Sequence, residues 1–149
     1  MNNDETRIEI EADIASTMKN VWDCWVQPQH VMGWNFAASD WHCPQATSEF
    51  RIGGEFHYLM AAKDGSFSFD FWGVFHDIKD HVNIEITLGD GRKMSVLFHE
   101  IDQNQIKVTE IFEPETENPV EMQRAGWQMI LNNFKDYAER LGGVNGTEI

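Results

Sequence analysis

Between Arg7 and Ile14 apolar and polar residues alternate without a fault. Ile8, Ile10, Ala12 and Ile14 face one way, and Arg7, Glu9, Glu11 and Asp13 the other. A period of two with one apolar face predicts a half-buried β-strand. The period then lengthens. Ser16 or Thr17 can cap a short helix in which Met18, Val21, Trp22 and Trp25 share a face. Pro28 opens a second short helix or turn that ends near Gly33. From Trp34 to Pro44 there is no period. That stretch carries two tryptophans, Asn35, Asp40, His42 and Cys43, and connections of this length without structure of their own are often functional.

From Ala46 onward short alternating runs follow one another with turn residues between them. Phe56, Tyr58 and Met60 share a face, Lys63-Asp64-Gly65-Ser66 reads as a hairpin turn, and Phe67, Phe69 and Phe71 alternate with Ser68 and Asp70. Strict alternation breaks near Val74, Phe75 and Ile78, so Gly73 is a candidate bulge. Val82, Ile84, Ile86 and Leu88 alternate up to the turn Gly89-Asp90-Gly91, and Met94, Val96 and Phe98 follow it. After a polar turn at Asp102 to Gln105 come Ile106, Val108 and Phe112. Turns about every ten residues are the signature of an antiparallel meander.

The last regular element runs from Asn118 to about Leu141. Asn118 is a good N-cap, Pro119 suits the first helical position, and Glu121 completes a capping box. Gly142 and Gly143 form the expected left-handed stop. Between these marks Trp127, Ile130, Leu131, Phe134, Ala138 and Leu141 recur at spacings of three and four, one apolar stripe with Trp127 buried at its centre. A long amphipathic helix closing a curved antiparallel sheet of about seven strands, with two short helices, is an α+β arrangement.

Composition narrows the partners. The 149 residues suit one domain, with an ordered core expected over about 6–142 and a frayed tail after Gly143. A formal net charge of −14 repels phosphate backbones and anionic lipid, so neither nucleic acid nor a membrane surface is expected as a partner. No run of apolar residues is long enough to span a membrane, and the first residues lack the pattern of a secretion signal. Two cysteines, Cys24 and Cys43, form no disulfide framework and point to a reducing cytoplasm. The glycosylation acceptor Asn145-Gly146-Thr147 is therefore a formal match only.

Several motifs carry a resemblance. Val21-Trp22, Trp34, Arg51-x-Gly53-Gly54-x-Phe56, Gly73-x-Phe75-x-Asp77-Ile78 and Gly126-Trp127-x-x-x-Leu131 occur in this order. Together they resemble the activators of heat-shock protein 90 ATPase, in their single-domain bacterial branch, within the START and birch-pollen-allergen helix-grip superfamily. The resemblance spans about Ile8 to Leu141. It implies a helix-grip fold. Superfamily members bind lipids, hormones or polyketides in a cavity between sheet and helix, and some are aromatase/cyclases. The eukaryotic co-chaperone resembles this chain only in its C-terminal domain. Stimulation of a chaperone ATPase by this chain alone is therefore not expected, while a co-chaperone-type protein binding a chaperone through its outer surface is the second reading and a polyketide cyclase- or hydrolase-like enzyme the third.

The residues weigh these readings. The face read as inward is rich in aromatics and methionines, which suits a pocket for a small apolar molecule, unless the side chains fill the space themselves. Glu110 continues the inward series Ile106, Val108 and Phe112, unless a bulge turns it outward. If inward, its carboxyl should titrate high and could orient a ligand or act as an acid or base. Gly126 lies near the start of the long helix, where glycine costs about 1 kcal/mol against alanine. Either a strand approaches closely there or the helix leaves open volume beneath it. The candidate ligand contacts are Trp34 and Trp41 from the aperiodic stretch and Phe56, Tyr58, Phe69, Phe71, Phe75, Met94, Phe98, Glu110 and Phe112 from the sheet. Met122, Gly126, Met129 and Ile130 from the helix complete the set. The histidines lack metal-ligand spacing, and His57, His76 and His99 fall on outward positions. His42 with Asp40 could form an acid–base pair at a pocket mouth. No phosphate loop, serine elbow or catalytic cysteine pattern is present, so no catalytic residue, metal or cofactor is assigned.

Overall fold

The computed structural model describes residues 7–142. Its elements are β1 (Ile8–Ile14), α1 (Met18–Val26), α2 (Pro28–Val31), β2 (Trp41–Ser48) and β3 (Glu55–Ala62), then β4 (Ser68–Lys79), β5 (Asn83–Leu88), β6 (Lys93–Asp102), β7 (Gln105–Phe112) and α3 (Val120–Gly142). The seven strands form one antiparallel sheet in the order β1-β7-β6-β5-β4-β3-β2, curled into a half-barrel. Strands β1 and β2, consecutive in sequence, are its two edges. The α1–α2 segment carries the chain from one edge to the other, and hairpins make the remaining strand connections.

Alternation decides what faces the concave side. In β7 the residues Ile106, Val108, Glu110 and Phe112 are all buried and pair across to β1 and β6 in unbroken register. Helix α3 runs along the edge strand β1. Arg124, Gln128 and Lys135 donate to the β1 carbonyls of Glu9, Glu11 and Asp13, at 3.2, 3.2 and 2.6 Å. The alternate carbonyls of that edge are thus capped by helix side chains, which blocks pairing with another chain. At the far end of α3, Asn20 of α1 donates to the Ala138 carbonyl and to the buried Ser16 hydroxyl, and Ser16 donates to the Gly142 carbonyl. The cap of α1 is Thr17, whose hydroxyl accepts from the Asn20 amide.

The two glycines of the Arg51-x-Gly53-Gly54-x-Phe56 motif have separate reasons. Gly53 has φ +87°, a left-handed conformation. A Cβ on Gly54 would collide with the Glu49 carbonyl oxygen. Both lock to Phe75, whose carbonyl accepts from Gly53 and whose amide donates to Gly54.

Some expectations shift. Helix α3 begins at Val120, and Asn118 does not cap it; its side-chain amide donates to Glu115. The stop also moves, since Gly142 still belongs to the helix; Gly143, the tail and Asn145-Gly146-Thr147 lie outside the described residues. The aperiodic stretch ends at Asp40, because β2 already starts at Trp41, with an irregularity between His42 and Gln45 that hid its period. Gly73 is not the bulge. It sits in regular register, where a Cβ would lie 2.8 Å from the Thr87 carbonyl oxygen, and the bulge falls between Phe75 and Asp77. Val82 is exposed in the turn before β5, and Leu141 is exposed past the point where the sheet reaches the helix.

Candidate functional site

The concave face and α3 flank a cavity of about 250 Å³ that is open to solvent on one side. Well-packed interiors rarely leave voids much larger than a water molecule, so the hollow itself calls for explanation. The strands supply most of its wall. Phe56 and Tyr58 of β3 pack at 4.7 Å between ring centroids, and Phe56 contacts Phe71 and Phe75 of β4 at 5.8 and 5.3 Å. Rings locked against one another are stiff and cannot easily collapse into the space.

Of the candidate contacts, Trp34, Phe56, Tyr58, Phe69, Phe71, Phe75, Met94, Glu110 and Ile130 line the cavity. Phe69, 43% exposed, marks the side on which the cavity meets solvent. Six others lie outside it. Phe98 faces inward but is covered by α1, edge-on to Trp22 at 4.9 Å. Phe112 is sealed under Trp127, the two rings stacked at 3.7 Å. Trp41 packs on Phe67 and Phe69 near the tip of the β3–β4 hairpin, where Phe67, read as inward, is exposed. Met122 and Met129 are largely exposed, because each precedes an inward residue, Gln123 or Ile130, and one residue rotates a helix position by about 100°. Gly126 does not line the cavity either, but a Cβ there would meet nothing within 4 Å, so no strand approaches it closely.

Trp127 is only half-buried. One face stacks on Phe112, its edge meets Phe71 at 5.9 Å, and it borders the cavity. His42 does not line the cavity, and no hydrogen bond joins it to Asp40 among the described residues. His57, His76 and His99 lie on the outer face; His57 bridges Asp70 and Glu55 at 2.7 and 2.9 Å and stacks on Trp72.

Glu110 is the chemical feature of the site. It lines the cavity, is 7% exposed, and has apolar Ile10 and Val96 as cross-strand neighbours. No hydrogen bond or ion pair engages its carboxyl among the described residues. Burial alone pushes its pKa from the ordinary 4.5 up to about 8, so the carboxyl is protonated at neutral pH.

Polar wall residues that sequence patterns did not single out come from connections and helix starts. Asn35, 6% exposed, donates through Nδ2 to the Met60 sulfur at 3.1 Å. Arg92 of the β5–β6 turn is held by Asp90 at 2.8 Å and the Glu113 carbonyl at 3.0 Å. Gln123, one turn before Trp127, closes a ring of bonds with Glu115 and Asn118 that fixes the β7–α3 connection. The only signal available for Gln123 was its place on the inward stripe, four residues before Trp127. Trp25 and Val26 of α1 complete the end near Trp34.

A half-barrel gripped by a long C-terminal helix, with an aromatic hollow between them, defines a helix-grip protein. Within that class the chain belongs to the activator of Hsp90 ATPase homolog 1-like protein family, whose pattern it matches over residues 15–139. The solution structure of an AHSA1-like protein from Aeromonas hydrophila is similar, at 38% identity over 96% of this chain and 99% of that one, with a TM-score of 0.86. A structure from Cytophaga hutchinsonii matches at 43% identity over 90% of this chain and 92% of that one, with a TM-score of 0.78. A crystal structure from Nitrosomonas europaea, at 15% identity over 91% and 95% with a TM-score of 0.77, shares the fold. No protein of curated function matches the chain. No helix among the described residues is long and apolar enough to cross a membrane.

Proposed function

We propose that the protein binds a small, largely apolar molecule in the cavity between the sheet and α3. The observation that carries this reading is a hollow of about 250 Å³ walled by interlocked aromatic rings. A cavity of ~150 Å³ lined by apolar side chains accommodates benzene, so this one suits a molecule of roughly ten non-hydrogen atoms. Such a ligand would be enclosed mainly by ring faces and aliphatic groups, with few polar contacts, as in most small-molecule sites. The site residues proposed are those that line the cavity, together with Trp127. The two cysteines are free and buried, which supports a reducing compartment such as the cytoplasm.

Native mass spectrometry of protein purified from its own host tests the proposal by seeking a co-purified small molecule. Ile130→Trp, which thrusts a large ring from α3 into the cavity, should abolish that adduct and the binding of an apolar probe dye. Unchanged dye binding by a folded Ile130→Trp protein would refute the site. The family description supports a second reading, engagement of a chaperone by the outer surface, where Phe67 lies exposed beside Trp41 at the tip of the β3–β4 hairpin. Stimulation of the host chaperone's ATPase that is lost in Phe67→Ser and kept in Ile130→Trp would favour it.

A further inference from the structure

Two buried polar side chains of the cavity wall, Glu110 and Asn35, can each present a hydrogen-bond donor to it. We infer, resting on the small-molecule reading above, that the ligand is an uncharged compound carrying a carbonyl-type oxygen, and that Glu110, as a neutral acid, donates its O–H to that oxygen. Three observations converge on this class. Glu110 is buried in the cavity wall without a partner among the described residues, and its neighbours on β1 and β6 are Ile10 and Val96. Nothing facing it from α3 carries a charge, since the wall residues there are Gln123, Trp127 and Ile130. Elsewhere in the wall, Asn35 gives an N–H to the Met60 thioether, a weak acceptor that a ligand oxygen would outmatch.

The alternatives are disfavoured by the same surroundings. An amine would form an ion pair with Glu110, but both charges would then lose water inside an apolar space, and desolvation of that kind can exceed the Coulombic gain. An anionic ligand would approach a protein of net charge −14. The remaining ionisable wall groups are engaged or neutral. Arg92 is held by Asp90 and the Glu113 carbonyl, and Glu115 accepts from Asn118, which lowers its pKa. The Tyr58 phenol is raised by burial and stays protonated. Burial leaves Glu110 itself protonated until about pH 8. Above that, a carboxylate would face the ligand oxygen, and binding should weaken.

Three probes that share one framework of non-hydrogen atoms, differing only in the O, CH3 or NH2 borne on the carbon next to the ring, separate the possibilities: propiophenone, sec-butylbenzene and α-ethylbenzylamine. Their affinities are measured calorimetrically at about pH 6 and about pH 10, either side of the Glu110 transition, with wild type, Glu110→Gln and Glu110→Leu. At the lower pH the ketone-to-hydrocarbon affinity ratio should be about fivefold higher in wild type than in Glu110→Leu, the yield of one net hydrogen bond. At the higher pH it should fall to the Glu110→Leu value. Glu110→Gln keeps a donor without titrating, so it should hold the raised ratio at both. Equal ketone ratios in wild type and Glu110→Leu would overturn the inference and leave the apolar site standing. A Glu110-dependent gain larger for the amine than for the ketone would replace it with a cation site. If sec-butylbenzene and the other probes all fail to bind wild type, the small-molecule reading fails, and this inference with it.

Discussion

Replacing Glu110 with glutamine should change the pH dependence of stability more than any other single substitution in the cavity wall. In the native protein burial holds the carboxyl's pKa near 8, against an ordinary 4.5 that the unfolded chain restores. The native state therefore binds the proton more tightly, and stability falls with rising pH wherever the two states differ in protonation. The contribution is fully present below about pH 4.5, declines across the interval, and is lost once the pH passes about 8. Each pH unit between those values carries about 1.4 kcal/mol, which bounds the loss at about 5 kcal/mol. Water drawn into the cavity beside the ionised carboxylate would reduce it, so about 3–4 kcal/mol is the expected change. Glu110→Gln keeps the shape and cannot ionise. Urea unfolding of both proteins at a series of pH values, followed by circular dichroism, isolates the effect, because every other titrating group cancels in the difference. The stability difference should move toward the variant by that amount between about pH 5 and about pH 9. Parallel profiles for the two proteins would show that Glu110 titrates normally, and would remove the basis for treating it as a buried neutral acid.

The other predictions concern packing. Trp127→Ala should cost about 2–3 kcal/mol in the same urea assay, below the 3–5 of a fully buried aromatic, because one side of the ring already borders open space; a loss under about 1 kcal/mol would mean that the stack on Phe112 contributes nothing. Gly54→Ala should destabilise by at least about 2 kcal/mol, since the added methyl meets the Glu49 carbonyl and strains the bonds to Phe75; a melting temperature equal to wild type would refute the close approach. Gly126→Leu, where a Cβ meets nothing, should gain about 0.5–1 kcal/mol from helix propensity and raise the melting temperature by a few degrees; a destabilised variant would show that the space beside Gly126 is filled.

Local pattern alone determined much of this protein. The alternation in β1 and β7 specified which side chains leave the backbone toward the core, and the three–four spacing of Leu131, Phe134 and Ala138 specified the buried stripe of α3, which the half-buried Trp127 extends. These are properties of the backbone repeat, so they survive in a single sequence. The inward placement of Glu110 followed from the same count once no bulge interrupted β7. The repeat does not say what stands opposite an inward side chain. Phe56, Phe98 and Phe112 all face the concave side, yet only Phe56 borders the cavity; α1 covers Phe98 and Trp127 covers Phe112. Likewise Met122 and Met129 looked like ligand-facing neighbours of Gly126, but the rotation of α3 about its axis, set by its docking along β1, turns them to solvent. Asn35 and Arg92 reach the wall from connections that have no period to read. Whether the interior is filled or hollow depends on distances between elements far apart in the chain, and only their docking decides it.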